Sequence, residues 1–282
     1  MTEPRIPIVQ VDSFTDRPFR GNPAAVCLLP ESRDDAWLQG VAAEMNLSET
    51  AFLTPRAAAE EGDYALRWFT PATEVDLCGH ATLASAHVLW EAGHVAPGRP
   101  IRFETRSGSL VCERRDAEDG GVIWMDFPAQ PARELPAEQA AALSAAVAEA
   151  LAAVAVRLAR NRFDLLIELS SEAAVRDLQP DLARVAAIDA RGLIVTAAAA
   201  DPAAGYEFVS RFFGPRVGVP EDPVTGSAHC CLGPWWGPRL GRDRLTGYQA
   251  SRRGGIVHVE LAGERVHLGG RAVTVLTGEL LA

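Results

Sequence analysis

The 282-residue chain lacks the marks of several large protein classes. Its five cysteines are an odd number, Cys230 and Cys231 are adjacent, and there is no C-x-x-C pair. A disulfide framework is therefore not expected, and a reducing, cytoplasmic setting fits the thiols best. No G-x-S-x-G, phosphate-loop or G-x-G-x-x-G run occurs. That argues against hydrolase, NTPase and Rossmann readings. Basic residues are in deficit, with 27 Lys and Arg against 37 Asp and Glu, for a net charge of −10. Neither nucleic acid nor an anionic membrane is the partner such a balance suggests. There is no run of five like charges, and so no acidic tail. The first residues carry acid and proline and no basic segment ahead of a long apolar one, so no signal peptide is expected. The alanine-rich stretch 137–160 is broken by Glu138, Glu149, Arg157 and Arg160. It reads as a soluble helix rather than a membrane span.

What is present is ordinary globular composition, 48% hydrophobic and 23% charged, long enough for one large domain or two of common size. "IPIVQVDSF" and "AAVCLLP" read as strands around the turn "TDRPFRGNP". "DDAWLQGVAAEM" reads as a helix with Trp37, Leu38, Val41 and Met45 on one face. Further short strands follow, with an apolar helix at about 80–92 and a helix-rich stretch at about 134–160. Many short strands with few helices make an α+β chain.

An internal echo organises this pattern. Arg67-Trp68-Phe69-Thr70-Pro71 is matched by Arg211-Phe212-Phe213-Gly214-Pro215, 144 positions later. Each leads through an acidic loop to a Gly-polar-Ala start, Gly79-His80-Ala81 and Gly226-Ser227-Ala228, 147 positions apart. Both offsets are close to half the chain, as a duplication gives. Each copy would open a helix from an acidic loop. Helix N-termini carry unpaired N–H groups and partial positive charge, so two facing ones would suit a small carboxylate.

Glu49, in "NLSETAFL", stands at the start of a strand pattern among apolar residues. Desolvation there would raise its pKa toward the range useful for moving protons, although a solvent-facing edge glutamate fits the same pattern. Asp222, in "PEDPVTGSAH", reads equally well as a site residue and as turn vocabulary. Ser227 can cap a helix, touch a ligand, or do both. His80, His87 and His94 recur every seven residues, which spaces them about 10 Å apart along a helix, too far to share one metal ion. His229-Cys230-Cys231 lacks zinc-ligand spacing. Cys78, before a helix start, could have a lowered pKa and act as nucleophile or proton carrier.

Five blocks in order, "VDSFTDRPFRGNPAAV", "NLSETAFL", "LCGHATLASAHVL", "EDPVTGSAH" and "GYQASRRGG", resemble the phenazine biosynthesis PhzF-like family, with its diaminopimelate-epimerase type of fold. The resemblance runs from residue 11 to the C-terminus. It implies two similar domains, 1–128 and 129–282, each an antiparallel, barrel-like sheet around a central helix. Those helices would span about 80–92 and start at about 226, with the active site in the cleft between domains. It implies an isomerase that moves a proton between carbons of a small unsaturated or amino carboxylic acid, such as a dihydro-hydroxyanthranilate-like compound, without cofactor or metal. Glu49 matches the proton shuttle, and His80 and Asp222 the groups that bind and polarise substrate. Gly79, Gly226 and Ser227 match the positions that hold it. A homodimer is the assembly the family suggests.

The sequence also departs from its relatives. Epimerases of this fold use a cysteine at each helix mouth; Cys78 resembles the first, and "EDPVTGSAH" has no second. His229 stands where a smaller residue is expected, so the pocket should differ. Gly233-Pro234 should kink or end the second central helix early. The rival readings are a catalytically silent carboxylate-binding or scaffold protein and a Cys78-dependent epimerase or racemase.

Overall fold

The computed structural model describes residues 5–56, 62–115 and 121–281. The first half of the chain forms β1 (Ile6–Ser13), β2 (Asn22–Leu28), α1 (Asp35–Met45), β3 (Glu49–Pro55), β4 (Asp63–Phe69), β5 (Glu74–Val75), α2 (Gly79–Glu91), β6 (Ile101–Thr105), β7 (Gly108–Arg115) and β8 (Val122–Pro128). The second half forms β9 (Arg133–Glu134), α3 (Ala137–Leu151), β10 (Arg157–Arg160), β11 (Leu165–Glu168), α4 (Glu172–Arg176), α5 (Leu182–Ala187), β12 (Leu193–Ala198), β13 (Phe208–Gly214), β14 (Val219–Asp222), α6 (Gly226–Leu240), β15 (Arg244–Gln249), β16 (Gly255–Ala262), β17 (Arg265–Gly270) and β18 (Ala272–Leu280). The α+β expectation holds. Two compact units result, residues 1–127 with 269–282, and residues 128–268.

Three sequence-based expectations need correction here. The division placed 269–282 with the second unit, but β18 pairs antiparallel with β1 along its length, with Ile6 opposite Leu280 and Ser13 opposite Ala272. The sheets are also mixed rather than antiparallel. β2 pairs parallel with β3, and β4 with β6. A helix crosses over between each of these strand pairs, α1 in the first case and α2 in the second, and such a crossover brings strands back parallel. The helix-rich stretch also ends sooner than 160. Ala152 adopts a left-handed backbone at φ 50° and closes α3, and β10 follows.

The internal echo is a repeat of pairing order. In the first unit β1–β2 is antiparallel, β2–β3 parallel, β3–β4 and β4–β5 antiparallel, β4–β6 parallel and β6–β7 antiparallel. The second unit runs through the same directions with β10 to β16. The echoed arginines do the same work in each. Arg67 forks onto Glu74 through Nε and Nη2, both at 2.7 Å, and lies 5.0 Å over Phe69. Arg211 forks onto Glu221 at 2.7 and 3.0 Å and lies 4.9 Å over Phe213. Each pair pins an acidic loop against the strand before the helix. Such planar, bidentate contacts are geometrically specific.

α2 and α6 are the central helices. Ten of the thirteen residues of α2 are buried, His80 to Ala86 without a break. A helix apolar on every side belongs inside a core. Gly270 sits where a Cβ would come within 2.4 Å of the Phe14 ring and 2.8 Å of Leu83 on α2. In the second unit α6 packs on β16 through Gly233 and Gly237. A Cβ at Gly233 would lie 2.6 Å from Val259, and one at Gly237 2.5 Å from Leu261 and 2.9 Å from the Arg242 carbonyl.

Pro234 does not end α6. The helix runs on to Leu240 with Pro234 and Pro238 inside it. A proline at 234 deprives the Cys230 carbonyl of its helical donor. Gln130 N–H supplies one instead, at 3.0 Å. The expected disruption is thus met by a donor from a distant segment.

Two predictions follow from this packing. A Gly237→Ala exchange gains intrinsic helix propensity but overpacks against backbone, so it should lower stability by about 1–3 kcal/mol in denaturant unfolding. Burial also holds the His80 imidazole down at about 3 and His229 at about 4. Both are neutral in the fold and ordinary, near 6.5, when unfolded. Their contribution to stability is therefore complete above about pH 6.5 and lost as pH falls below it, because the unfolded chain then takes up the protons. Melting temperature should fall between pH 6.5 and 4, and His229→Gln should flatten that slope.

Candidate active site

Glu49 is the first residue of β3, in register with Ala24 of β2. Its side chain is 16% exposed, and Oε2 lies 3.1 Å from Nε2 of the buried His80. His80 occupies the first turn of α2, and Ser13 Oγ donates to its carbonyl at 2.8 Å, tying β1 to that turn. The His80–Glu49 contact is close but off the line of a good hydrogen bond, and Nε2 has no aligned partner. The ring also meets the Pro23 carbonyl, but burial outweighs that contact and keeps the imidazole neutral.

Cys78 is the residue before α2. Its Sγ lies 3.5 Å from His80 Nδ1. Glu49, Cys78 and His80 each offer a ligand atom within 4.8 Å of the others. The thiol and the carboxylate are thus close to each other as well as to the imidazole, and the three groups gather at the mouth of α2. His87 is the partly buried histidine of this helix, 3.1 Å from Thr274 Oγ1, away from this cluster in sequence and bonding.

In the second unit Asp222 ends β14 and α6 begins four residues on. Asp222 Oδ2 accepts from Thr225 Oγ1 at 2.6 Å. Gln249, fully buried at the end of β15, holds the loop between them. Its Oε1 accepts from Thr225 N at 2.9 Å, and its Nε2 donates to the Asp222 carbonyl at 2.7 Å and to Thr225 Oγ1 at 3.1 Å. Ser251 Oγ adds a bond to the Pro223 carbonyl at 2.7 Å. Gly226 and Ser227 form the first turn, and Ser227 Oγ accepts from Arg191 at 3.1 Å.

The two helix mouths share one property. Neither Cys78 nor Thr225, the N-cap residues, caps its helix through its side chain. The first N–H groups of a helix have no intrahelical acceptor. Here they remain as donors at the end of a partial positive charge, the arrangement that receives anions.

Glu49, Gly79 and His80 are thus brought together in the first unit, and Asp222, Gly226 and Ser227 in the second. His229 does not enlarge or narrow the mouth as its size suggested. It is fully buried, its Nδ1 is 2.8 Å from the Thr225 carbonyl, and its ring lies 5.9 Å from Phe208. Sequence reading gave no role to Gln249, although "GYQASRRGG" marked its strand, and none to Thr225 or Arg191. Thr225 carried a usable signal, since it stands 147 positions after Cys78.

The phenazine biosynthesis-like protein family matches residues 11–278. An uncharacterized isomerase of Halalkalibacterium halodurans is 51% identical over 278 residues, covering 98% of each chain. The crystal structure of a PhzF-family phenazine biosynthesis protein of Enterococcus faecalis superposes with a TM-score of 0.85 at 38% identity, covering 98% of this chain and 99% of that one. A hydroxyproline epimerase of Agrobacterium vitis shares the fold at a TM-score of 0.61 and 14% identity, over 99% and 93% of the two chains. Among the described residues no helix is long and apolar enough to cross a membrane. Buried helices with uncapped mouths, a glutamate–histidine contact at one of them and this likeness along nearly the whole chain lead to one assignment: the chain belongs to the phenazine biosynthesis-like, or PhzC-PhzF, family, among whose members are proteins named as isomerases.

Proposed function

We propose that the protein is an isomerase that moves a proton between carbons of a small unsaturated or amino carboxylic acid, with Glu49 taking the proton and returning it. The observation that carries this reading is the 3.1 Å contact between Glu49 Oε2 and a neutral, buried His80. A C–H next to an unsaturated system or a carboxyl is weakly acidic. Its removal needs a desolvated carboxylate and fixed donors for the charge that develops. Glu49 supplies the first, and uncapped helix N–H groups supply the second without rearrangement. A neutral His80 at 3.1 Å can accept a hydrogen bond from the glutamic acid and hold its proton in place between removal and return.

Asp222, Gly226 and Ser227 are proposed as substrate-binding groups at the mouth of α6. Thr225 bonds the Asp222 carboxylate, and Gln249 holds both the Thr225 hydroxyl and the Asp222 carbonyl, which suits a group that must polarise rather than move. The proposed chemistry draws on protein groups alone.

One observation favours a second reading. Cys78 Sγ is 3.5 Å from His80 Nδ1, so a thiol-dependent epimerase has one of its two acid–base groups in place. The corresponding position of the other helix is Thr225, whose hydroxyl is already bonded to Asp222. An aliphatic hydroxyl is far less acidic than a thiol, so the shuttle by Glu49 is the better fit.

Incubation in D₂O with dihydro-hydroxyanthranilate and a panel of small carboxylates, followed by NMR, tests the proposal. C–H exchange is expected with at least one compound, and Glu49→Gln should slow it at least about a hundredfold. Cys78→Ser should leave most of it. Exchange that survives in Glu49→Gln sinks the mechanism, and loss in Cys78→Ser favours the epimerase. Binding without any exchange favours a silent carboxylate-binding protein.

A further inference from the structure

Arg191 is bonded to Ser227, and its surroundings are built to hold it still. Its Nε and Nη2 fork onto Asp164 at 2.8 and 2.6 Å. Asp164 is 1% exposed, so its charge depends on this partner. The guanidinium lies between two rings, 5.3 Å from the Phe163 centroid and 5.7 Å from that of Phe212. Its backbone N–H donates to the Phe163 carbonyl at 2.8 Å. Asn161 Oδ1 accepts from the N–H groups of Phe163 and Asp164 at 2.8 and 2.7 Å, which shapes the loop that carries both. The next residue is Gly192, where a Cβ would come within 2.3 Å of the Phe212 ring. Only glycine leaves room for that ring beside the guanidinium.

From this frame Nη2 also donates to Ser227 Oγ at 3.1 Å. Arginine has donors and no acceptor. Ser227 must therefore accept in this bond, and its own hydrogen must point elsewhere. No acceptor for that hydrogen is found among the described residues. It remains as a donor in the first turn of α6, beside N–H groups that are donors too. With one lone pair taken by Arg191, the hydroxyl is biased toward donating, and a carboxylate is the strongest acceptor it can meet. Accepting a charge-assisted bond also polarises the O–H and strengthens it as a donor.

We propose that Arg191 is a positioning residue, held by Asp164, which turns the Ser227 hydrogen away from itself and so favours a carboxylate at the mouth of α6. The inference rests on the reading that this mouth binds the substrate's acid group. It does not depend on which group moves the proton.

Calorimetric titration of the full chain with 3-hydroxyanthranilate tests it, because that aromatic carboxylate has no saturated ring carbon to exchange. Ser227→Ala and Arg191→Met should each weaken binding about tenfold. The double variant should be no weaker than Ser227→Ala alone, since Arg191 acts only through the hydroxyl. Arg191→Lys keeps a cation against Asp164, so it guards against a variant that fails to fold. It should still weaken binding, because an ammonium cannot fork across both partners. A merely structural Arg191 would give losses that multiply in the double variant, and that result overturns the proposal. So does binding by Arg191→Lys at wild-type strength, or equal binding of the matching carboxamide. No binding by the wild type removes the carboxylate assignment and the positioning role with it. Failure of the Glu49 mechanism would show separately, as exchange persisting in Glu49→Gln.

Discussion

Both units depend on placing a helix inside a sheet-lined core. The backbone of such a helix satisfies itself everywhere except at its ends, where the first N–H groups have no partner in the helix. A buried, uncapped end is costly unless something meets it. In α2 and α6 the natural capping positions hold Cys78 and Thr225, and neither side chain turns back to cap. The surrounding structure then serves to hold these open ends steady. Ser13 ties β1 to the first turn of α2, and Gln249 ties β15 to the loop before α6. The arginine–glutamate forks at Arg67 and Arg211 fix the acidic loops that lead in.

The duplication was legible in the sequence because those forks have a signature. An arginine two residues before an aromatic, with a glutamate some residues later, recurs with nearly the same spacing in both halves. Glu49 was legible as a candidate because it interrupts an apolar pattern with a group that can exchange a proton, whereas His80 was picked out by the family resemblance. What escaped notice were contacts made over long distances in sequence. The pairing of β18 with β1 joins the two ends of the chain. Ser227 and Arg191 are 36 residues apart, and Thr225 and Gln249 are 24 apart. Periodicity says nothing about such partners. Pro234 misled for the same reason: a local rule about helices was answered by Gln130, far upstream.

The two mouths began as copies and now differ in kind. That of α2 carries groups that can exchange protons, with Cys78, His80 and Glu49 within reach of one another. That of α6 carries groups locked by hydrogen bonds, with Thr225 and Asp222 bonded to each other and Ser227 bonded to Arg191. A duplicated scaffold can divide labour in this way, because reactivity needs loosely held protons whereas recognition needs fixed ones. Rigid donors bind well only when they have little freedom left to lose.

The return of the last strand to the first unit has a consequence for how the chain is made. Synthesis runs from the N-terminus, and domains tend to fold as they emerge. The second unit is continuous, so all of it has left the ribosome before β18 appears. The first unit starts earlier yet finishes later, and until β18 arrives the edge of β1 that it will cover stays bare. An uncovered strand edge is a template for pairing with other chains. The exposure to misassembly therefore lasts until β18 is made, after the whole of the second unit, and it belongs to the half of the molecule that was made first.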